Sequence, residues 1–259
     1  MCGTCGCAEE SGGTRIVMLR EDDAPPHGHP HPHPHPHDHP EREEVGETVT
    51  LEQKVLAKND LLADRNREWM TGRGVVAVNV MSSPGAGKTT LLERTITDLA
   101  GRRPVAVIEG DQETRLDADR IRRTGCAVVQ VNTGAGCHLD AEMMRDALTA
   151  LSPAEGSLLM VENVGNLVCP ALFDLGERSK VVIISVTEGT DKPLKYPYMF
   201  AAADLILINK VDLLPYVDFD VEQCTTYARS VNPDVRVLTL SATTGEGLAP
   251  WYDWLAQQP

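Results

Sequence analysis

Residues with the types and spacing for chemistry fall into a few groups in this chain. The first is Ser82-Ser83-Pro84-Gly85-Ala86-Gly87-Lys88-Thr89-Thr90. Glycines here let backbone N–H groups curl around an anion, and a helix starting at the lysine adds the positive end of its dipole. In such a loop Gly85, Ala86, Gly87 and Thr90 border phosphate, Lys88 reaches the β- and γ-phosphates, and the Thr89 hydroxyl coordinates Mg²⁺. The strict pattern has glycine six residues before the lysine, where this chain has Ser82.

The second group is Asn209-Lys210-Val211-Asp212, about 120 residues further on. The Asp212 carboxylate can accept two hydrogen bonds from guanine N1–H and the 2-amino group. Adenine presents neither donor and would leave a buried carboxylate unpaired. Asn209 is expected to read the opposite base edge and tie the loop to the phosphate loop, with the Lys210 stem over the base. Ser241-Ala242-Thr243 is a weaker sign of the same pocket. GTP rather than ATP is the inferred nucleotide.

Phosphoryl transfer needs an anchored Mg²⁺ and an oriented water, and carboxylates at strand ends provide both. The candidates are Asp111, in Glu109-Gly110-Asp111, and Glu162, in Glu162-Asn163-Val164-Gly165. The second stretch resembles a D-x-x-G element in which Gly165 senses the γ-phosphate, with Glu replacing Asp. Asp117 is the alternative to Asp111 as a switch carboxylate.

Soft donors form the third group. Cys2-x-x-Cys5-x-Cys7 puts three thiols within six residues, suited to Ni²⁺, Zn²⁺ or Cu⁺. His27, His29, His31, His33, His35, His37 and His39 alternate mainly with proline. On a polyproline helix of three residues per turn they point in different directions, which fits several weak sites rather than one chelate. Cys137, His138 and Cys169 follow different strands yet leave the same side of the expected sheet. They can meet beside the nucleotide, leaving a coordination position open. Cys126 and Cys224 lack such company and read as packing residues.

The elements that position these groups are legible as alternating runs. Apolar, β-branched segments occur at Val75–Met81, Val105–Ile108, Ala127–Val131, Leu158–Glu162, Val181–Val186, Leu205–Ile208 and Val235–Leu240. Helical patterns lie between most of them, among them Thr90–Leu99, Leu139–Leu151 and Gly247–Leu255. Short continuous apolar strands separated by helices predict an α/β fold with a doubly wound, mostly parallel sheet, whose ligands sit at the carboxyl ends of the strands. Ahead of it a helix is expected from about 50 to 71. Thr50-x-x-Gln53 resembles a capping box, and Leu51, Val55, Leu61, Leu62 and Trp69 or Met70 recur at helical spacing.

The first 47 residues differ from the rest. They carry 10 acidic against 3 basic side chains, half of the net charge of −14, and they hold the proline-alternating histidines. They read as a disordered metal-binding tail. The expected domains are therefore tail 1–47, helical segment 48–74 and nucleotide-binding domain 75–259. The acidity of the chain disfavours nucleic acid and membrane surfaces as partners. Neither an apolar span nor a secretory start is evident, so a cytoplasmic location is expected.

Taken together, the Cys2/Cys5/Cys7 start, the histidine tract, the phosphate loop, Cys137-His138, Glu162-Asn163-Val164-Gly165-Asn166 with Cys169, and Asn209-Lys210-Val211-Asp212 resemble the hydrogenase nickel incorporation GTPases, the HypB family. That resemblance spans the chain. It implies a P-loop GTPase fold and GTP hydrolysis to GDP and phosphate, coupled to Ni²⁺ storage and delivery during maturation of [NiFe]-hydrogenase. The implied partners are a small zinc-containing, HypA-like nickel chaperone and the hydrogenase large-subunit precursor, and GTP would favour a homodimer with metal at its interface. On the same resemblance Cys2, Cys5 and Cys7 correspond to the high-affinity nickel motif, and Cys137, His138 and Cys169 to the Ni²⁺ or Zn²⁺ site of the G domain. The related urease-maturation GTPases carry Cys-Pro-His, whereas here Cys169-Pro170 is followed by Ala171.

Overall fold

The computed structural model describes residues 41–111, 116–134 and 136–258. Cys2, Cys5, Cys7 and the histidines from His27 to His39 lie outside the described residues. Val55–Pro259 forms one compact unit.

All seven apolar runs form strands: β1 (Val76–Ser82), β2 (Val105–Asp111), β3 (Ala127–Asn132), β4 (Leu158–Glu162), β5 (Ser179–Ser185), β6 (Leu205–Asn209) and β7 (Arg236–Thr239). They make one sheet in the order β3-β2-β4-β1-β5-β6-β7, and every pairing is parallel. The sheet is thus fully rather than mostly parallel. All residues of β1, β4 and β6 are buried, whereas the edge strands β3 and β7 are partly exposed. Burial on both faces explains why the central runs are continuously apolar instead of alternating.

Helices cover the sheet: α2 (Lys88–Leu99), α3 (Leu116–Arg123), α4 (Ala141–Leu151), the short α5 (Lys192–Lys195) and α6 (Pro197–Ala201), α7 (Val221–Val231) and α8 (Leu248–Ala256). On one face Val78, Val80, Met160 and Ile183 pack with Leu91 and Leu92 of α2 and Trp251 of α8. The indole N–H of Trp251 donates to Thr95 Oγ1 at 2.9 Å, so this fully buried ring keeps its polar atom satisfied. On the other face Ile108, Leu159 and Val161 pack with Met144 and Leu148 of α4, while Val182, Ile184 and Ile206 pack with Phe200 and Cys224. Successive strand residues alternate between these two cores, as the two-residue period requires.

The N-terminal helix α1 runs from Glu41 to Thr71, so it begins well before residue 50 and takes in residues 41–47, which the sequence reading assigns to the tail. Its packed face also differs from the apolar expectation. Val55 and Leu61 are exposed, and the buried positions are Asn59, Ala63, Asn66 and Met70. The two asparagines are buried because they satisfy backbone groups. Asn59 Oδ1 accepts from the N–H of Ala141, an otherwise orphan donor at the start of α4, at 2.9 Å. Asn59 Nδ2 donates to the carbonyl of Asp174 at 2.7 Å, and Asn66 Nδ2 donates to the carbonyls of Ala141 and Leu175 at 2.8 and 3.1 Å. The helix therefore clamps the start of α4 to the loop before β5.

Gly176 lies where this clamp closes. Its φ is +89°, and an added Cβ would fall 2.5 Å from the Ala63 carbonyl oxygen and 2.9 Å from the Arg67 nitrogen. Gly176→Ala is expected to cost at least about 1–3 kcal/mol, since left-handed strain alone is of that size. Urea denaturation of the two proteins checks it, and an unchanged midpoint would count against close docking of α1.

Candidate functional site

The phosphate loop leaves β1 at the point where the sheet order reverses, with β4 on one side and β5 on the other. Gly85 and Gly87 have φ of +75° and +100°, and α2 starts at Lys88. Lys88 Nζ donates to Ser82 Oγ at 2.9 Å, so the serine that stands in the place of a glycine orients the lysine. Burial lowers the Lys88 pKa, and the carboxylates of Glu162, Asp117, Asp111 and Glu109 oppose that shift. The loop borders a cavity of about 500 Å³, a size suited to a nucleotide's phosphates.

Two glutamates on adjacent strands share the floor of this cavity, since Glu109 of β2 is in register with Glu162 of β4. Thr89 Oγ1 donates to Glu162 Oε1 at 2.8 Å. The Oε2 atoms of both glutamates are buried with no hydrogen-bond partner among the described residues. Burial raises Glu162 to about 7 against the opposing pull of Lys88 and Thr89. Burial, and then the neighbouring Glu162 carboxylate, raises Glu109 to about 8. A threonine hydroxyl beside unsatisfied carboxylate oxygens is a hard-oxygen donor set that fits Mg²⁺.

Asp111 and Asp117 border the same cavity. Asp117 Oδ1 accepts from Arg120 at 3.3 Å, and Arg120 also donates to Thr90 Oγ1 at 3.2 Å. Gly165 lies against the loop, because a Cβ there would come within 3.2 Å of Pro84. Sequence reasoning missed Glu109, Arg120 and the Ser82–Lys88 contact. The signal for Glu109 was present, since it stands two residues before Asp111 and shares its side of the strand.

In the Asn209–Asp212 loop, Asn209 Nδ2 donates to the Ala86 carbonyl at 2.9 Å, and Asn209 Oδ1 accepts from the Ala242 and Lys210 N–H groups at 3.1 and 2.8 Å. Its amide therefore ties three loops together. Lys210, at φ +64°, donates from Nζ to the Gly85 carbonyl at 2.7 Å. Ser241 is buried and precedes Ala242 in the same junction. The Asp212 Oδ1 atom is buried with no hydrogen-bond partner among the described residues.

The ligand atoms of Cys137, His138 and Cys169 lie within 4.8 Å of one another. Ligands held about 2.0–2.3 Å from one ion are at most ~4.6 Å apart, so the set lies close enough for modest side-chain adjustment to bring all three onto one ion. Cys137 Sγ is 3.5 Å from His138 Nδ1, and Cys169 opens the 3₁₀ turn Cys169–Ala171. The His138 ring stacks on Phe173 at 3.9 Å, and burial lowers its pKa, which favours the neutral, ligating imidazole. Cys224 is buried in the core, and half-buried Cys126 donates from Sγ to the Val105 carbonyl at 3.2 Å, so both are packing residues. Among the described residues, no helix is long and apolar enough to cross a membrane.

A parallel sheet with a lysine-bearing glycine loop at its switch point defines a P-loop nucleotide-binding domain, and a family model described as "CobW/HypB/UreG, nucleotide-binding domain" matches residues 76–239. The hydrogenase maturation factor HypB of Azotobacter vinelandii is 60% identical over 208 residues, covering 80% of this chain and 69% of that protein. The crystal structure of HypB from Archaeoglobus fulgidus matches with a TM-score of 0.73 at 44% identity, covering 77% of this chain and 98% of that one. HypB from Helicobacter pylori, solved in complex with nickel, matches with a TM-score of 0.72 at 38% identity, covering 77% and 94%. The chain belongs to the HypB hydrogenase maturation factor family.

Closeness of the loops makes Gly87 the most sensitive position of the cavity. A Cβ there would sit 2.5 Å from Asn209 Nδ2. Gly87→Ala is expected to weaken nucleotide binding about tenfold or more, because displacing Asn209 breaks bonds worth roughly 1 kcal/mol each. Titration with a fluorescent guanine nucleotide checks this, and unchanged affinity would mean that the loop rearranges freely.

Proposed function

We propose that this chain is a GTP-hydrolysing nickel metallochaperone that stores Ni²⁺ and delivers it during maturation of [NiFe]-hydrogenase. Supporting observations are the unsatisfied, buried Asp212 carboxylate oxygen, in the loop that Asn209 and Lys210 tie to the phosphate loop, and the cluster of Cys137, His138 and Cys169, reached by the same segment that carries Glu162. An acceptor-only group at the base position selects the donor edge of guanine.

Lys88 and the loop N–H groups hold the phosphates, while Ser82 keeps Lys88 oriented. Mg²⁺, held by Thr89 with Glu162 or Asp111, would neutralise charge developing on the phosphoryl oxygens. The second carboxylate and Gly165 orient the water and the γ-phosphate. The Cys2/Cys5/Cys7 motif and the seven tract histidines supply nickel storage, and the Cys137/His138/Cys169 site takes Ni²⁺ or Zn²⁺ in transit. A small zinc-containing HypA-like chaperone and the hydrogenase large-subunit precursor are the partners, with a homodimer favoured by GTP. The nickel complex of the Helicobacter pylori relative supports nickel as cargo.

Asp212→Asn tests the guanine assignment. The substitution replaces an acceptor by a donor facing the guanine N–H groups, a mismatch of roughly 1–3 kcal/mol. GTP affinity is expected to fall about fivefold to a hundredfold, and xanthosine triphosphate, with a 2-oxo group, is expected to gain. Equal GTP affinity in the two proteins by isothermal titration would overturn the assignment.

A further inference from the structure

A chain of buried polar side chains joins the end of β4 to both segments that carry the metal ligands. Asn163 follows Glu162 and is almost wholly buried. Its Oδ1 accepts from the N–H of Leu139 at 3.2 Å and of Val164 at 2.9 Å, and its Nδ2 donates to Asn79 Oδ1 at 3.2 Å. Asn79, fully buried within β1, donates in turn from Nδ2 to Glu177 Oε1 at 3.1 Å. Glu177 Oε2 accepts from the N–H of Leu175 at 2.7 Å, with Lys180 Nζ 3.7 Å from Oε1 as its countercharge.

Both ends of this relay meet the metal cluster through the backbone. Leu139 adjoins His138, and its side chain is seated on Gly110, where a Cβ would come within 2.8 Å. Gly110 lies between Glu109 and Asp111 of the nucleotide cavity. Leu175 lies two residues beyond Phe173, whose ring stacks on His138, in the segment that begins at Cys169. From the outer side Asn66 holds the carbonyls of Ala141 and Leu175 together. Buried amides with all these partners have no water to fall back on. Moving Asn163 must therefore move its partners or break bonds whose loss is costly away from solvent.

We propose that Asn163, Asn79 and Glu177 are positioning residues that couple the nucleotide loop to the metal ligands. A shift of Val164–Gly165 towards the γ-phosphate is passed to His138 through the Leu139 N–H, and to the Cys169–Phe173 segment through the Leu175 N–H. This rests on the reading above, in which a GTP-hydrolysing protein delivers nickel. By linkage, metal at Cys137, His138 and Cys169 biases the nucleotide loop to the same degree.

Asn79 borders neither the cavity nor the metal cluster, so Asn79→Ala tests the relay. The measurement is nickel affinity, by competition with a chromophoric chelator, of full-length protein carrying Cys2→Ala, Cys5→Ala and Cys7→Ala, with GDP and with a non-hydrolysable GTP analogue. The parent is expected to differ about fivefold or more between the two nucleotides, the usual lower size of such couplings. Asn79→Ala is expected to bring that ratio close to one while GTP-analogue affinity and GDP-state nickel affinity stay near those of the parent. A merely structural role for Asn79 would lower stability but leave the ratio standing. If Asn79→Ala does not fold, the isosteric Glu177→Gln replaces one acceptor by a donor and is expected to remove the ratio in the same way. A variant that keeps the parent's ratio overturns the relay alone. A parent with no difference between nucleotides overturns the relay together with nucleotide-dependent metal handling, and its GTP-analogue affinity then shows whether the nucleotide site itself is sound.

Discussion

Six residues join Glu162, which faces the nucleotide cavity, to Cys169 of the metal cluster. This short connection constrains everything at the top of the sheet. A chain advances at most about 3.3–3.6 Å per residue, so the two ends stay within one short segment of each other. Glu162 is fixed by parallel pairing of β4 with β1 and β2, and by the Thr89 hydroxyl. Cys169 is fixed by burial at the start of a 3₁₀ turn. The fold thus places Gly165, which lies against the phosphate loop, and the Cys169 thiol on one short segment.

The electrostatics of the cavity follow from the same packing. Strand ends bring Glu109 and Glu162 side by side in a buried place, where burial raises the cost of ionising both and the Glu162 carboxylate raises it further for Glu109. Lys88 alone cannot balance them, and burial lowers its own pKa. On the proposed function, a cation held by the carboxylates and a polyphosphate held by Lys88 would relieve this imbalance. The chain outside the site is acidic, so the anionic ligand has to be held by local groups, namely the loop N–H donors, the start of α2 and Lys88.

Much of this was legible in the sequence because the signals are local. Seven apolar runs stand for seven strands, since strands buried on both faces need no partner information to be recognised. Gly85, Gly87, Lys88 and Thr89 are contiguous, and the donors Cys137, His138 and Cys169 each follow a strand end, where a parallel sheet gathers its ligands. The missed features depend on register and long-range contact. The buried face of α1 is built on Asn59 and Asn66, which look like surface residues until the carbonyls of Asp174, Ala141 and Leu175 are in place. Asn79 reads as an anomaly in an apolar strand, and only the approach of Asn163 and Glu177 explains it. Of the expected apolar stripe of α1, Met70 is buried and Trp69 packs against the same core, whereas Val55 and Leu61 are exposed, because hydrogen-bond demand from neighbouring loops decided which side was buried.

On the proposed coupling, the cluster of Cys137, His138 and Cys169 responds to the nucleotide. Nickel K-edge X-ray absorption of the full-length protein, with Cys2, Cys5 and Cys7 each replaced by alanine and one equivalent of nickel bound, addresses it directly when GDP is exchanged for a non-hydrolysable GTP analogue. A nucleotide-dependent change in the sulfur contribution to the first coordination sphere is the predicted result, because on the proposed coupling the segment from Gly165 to Cys169 shifts with the γ-phosphate. Superimposable spectra in the two states, with sulfur ligands present in both, would contradict it.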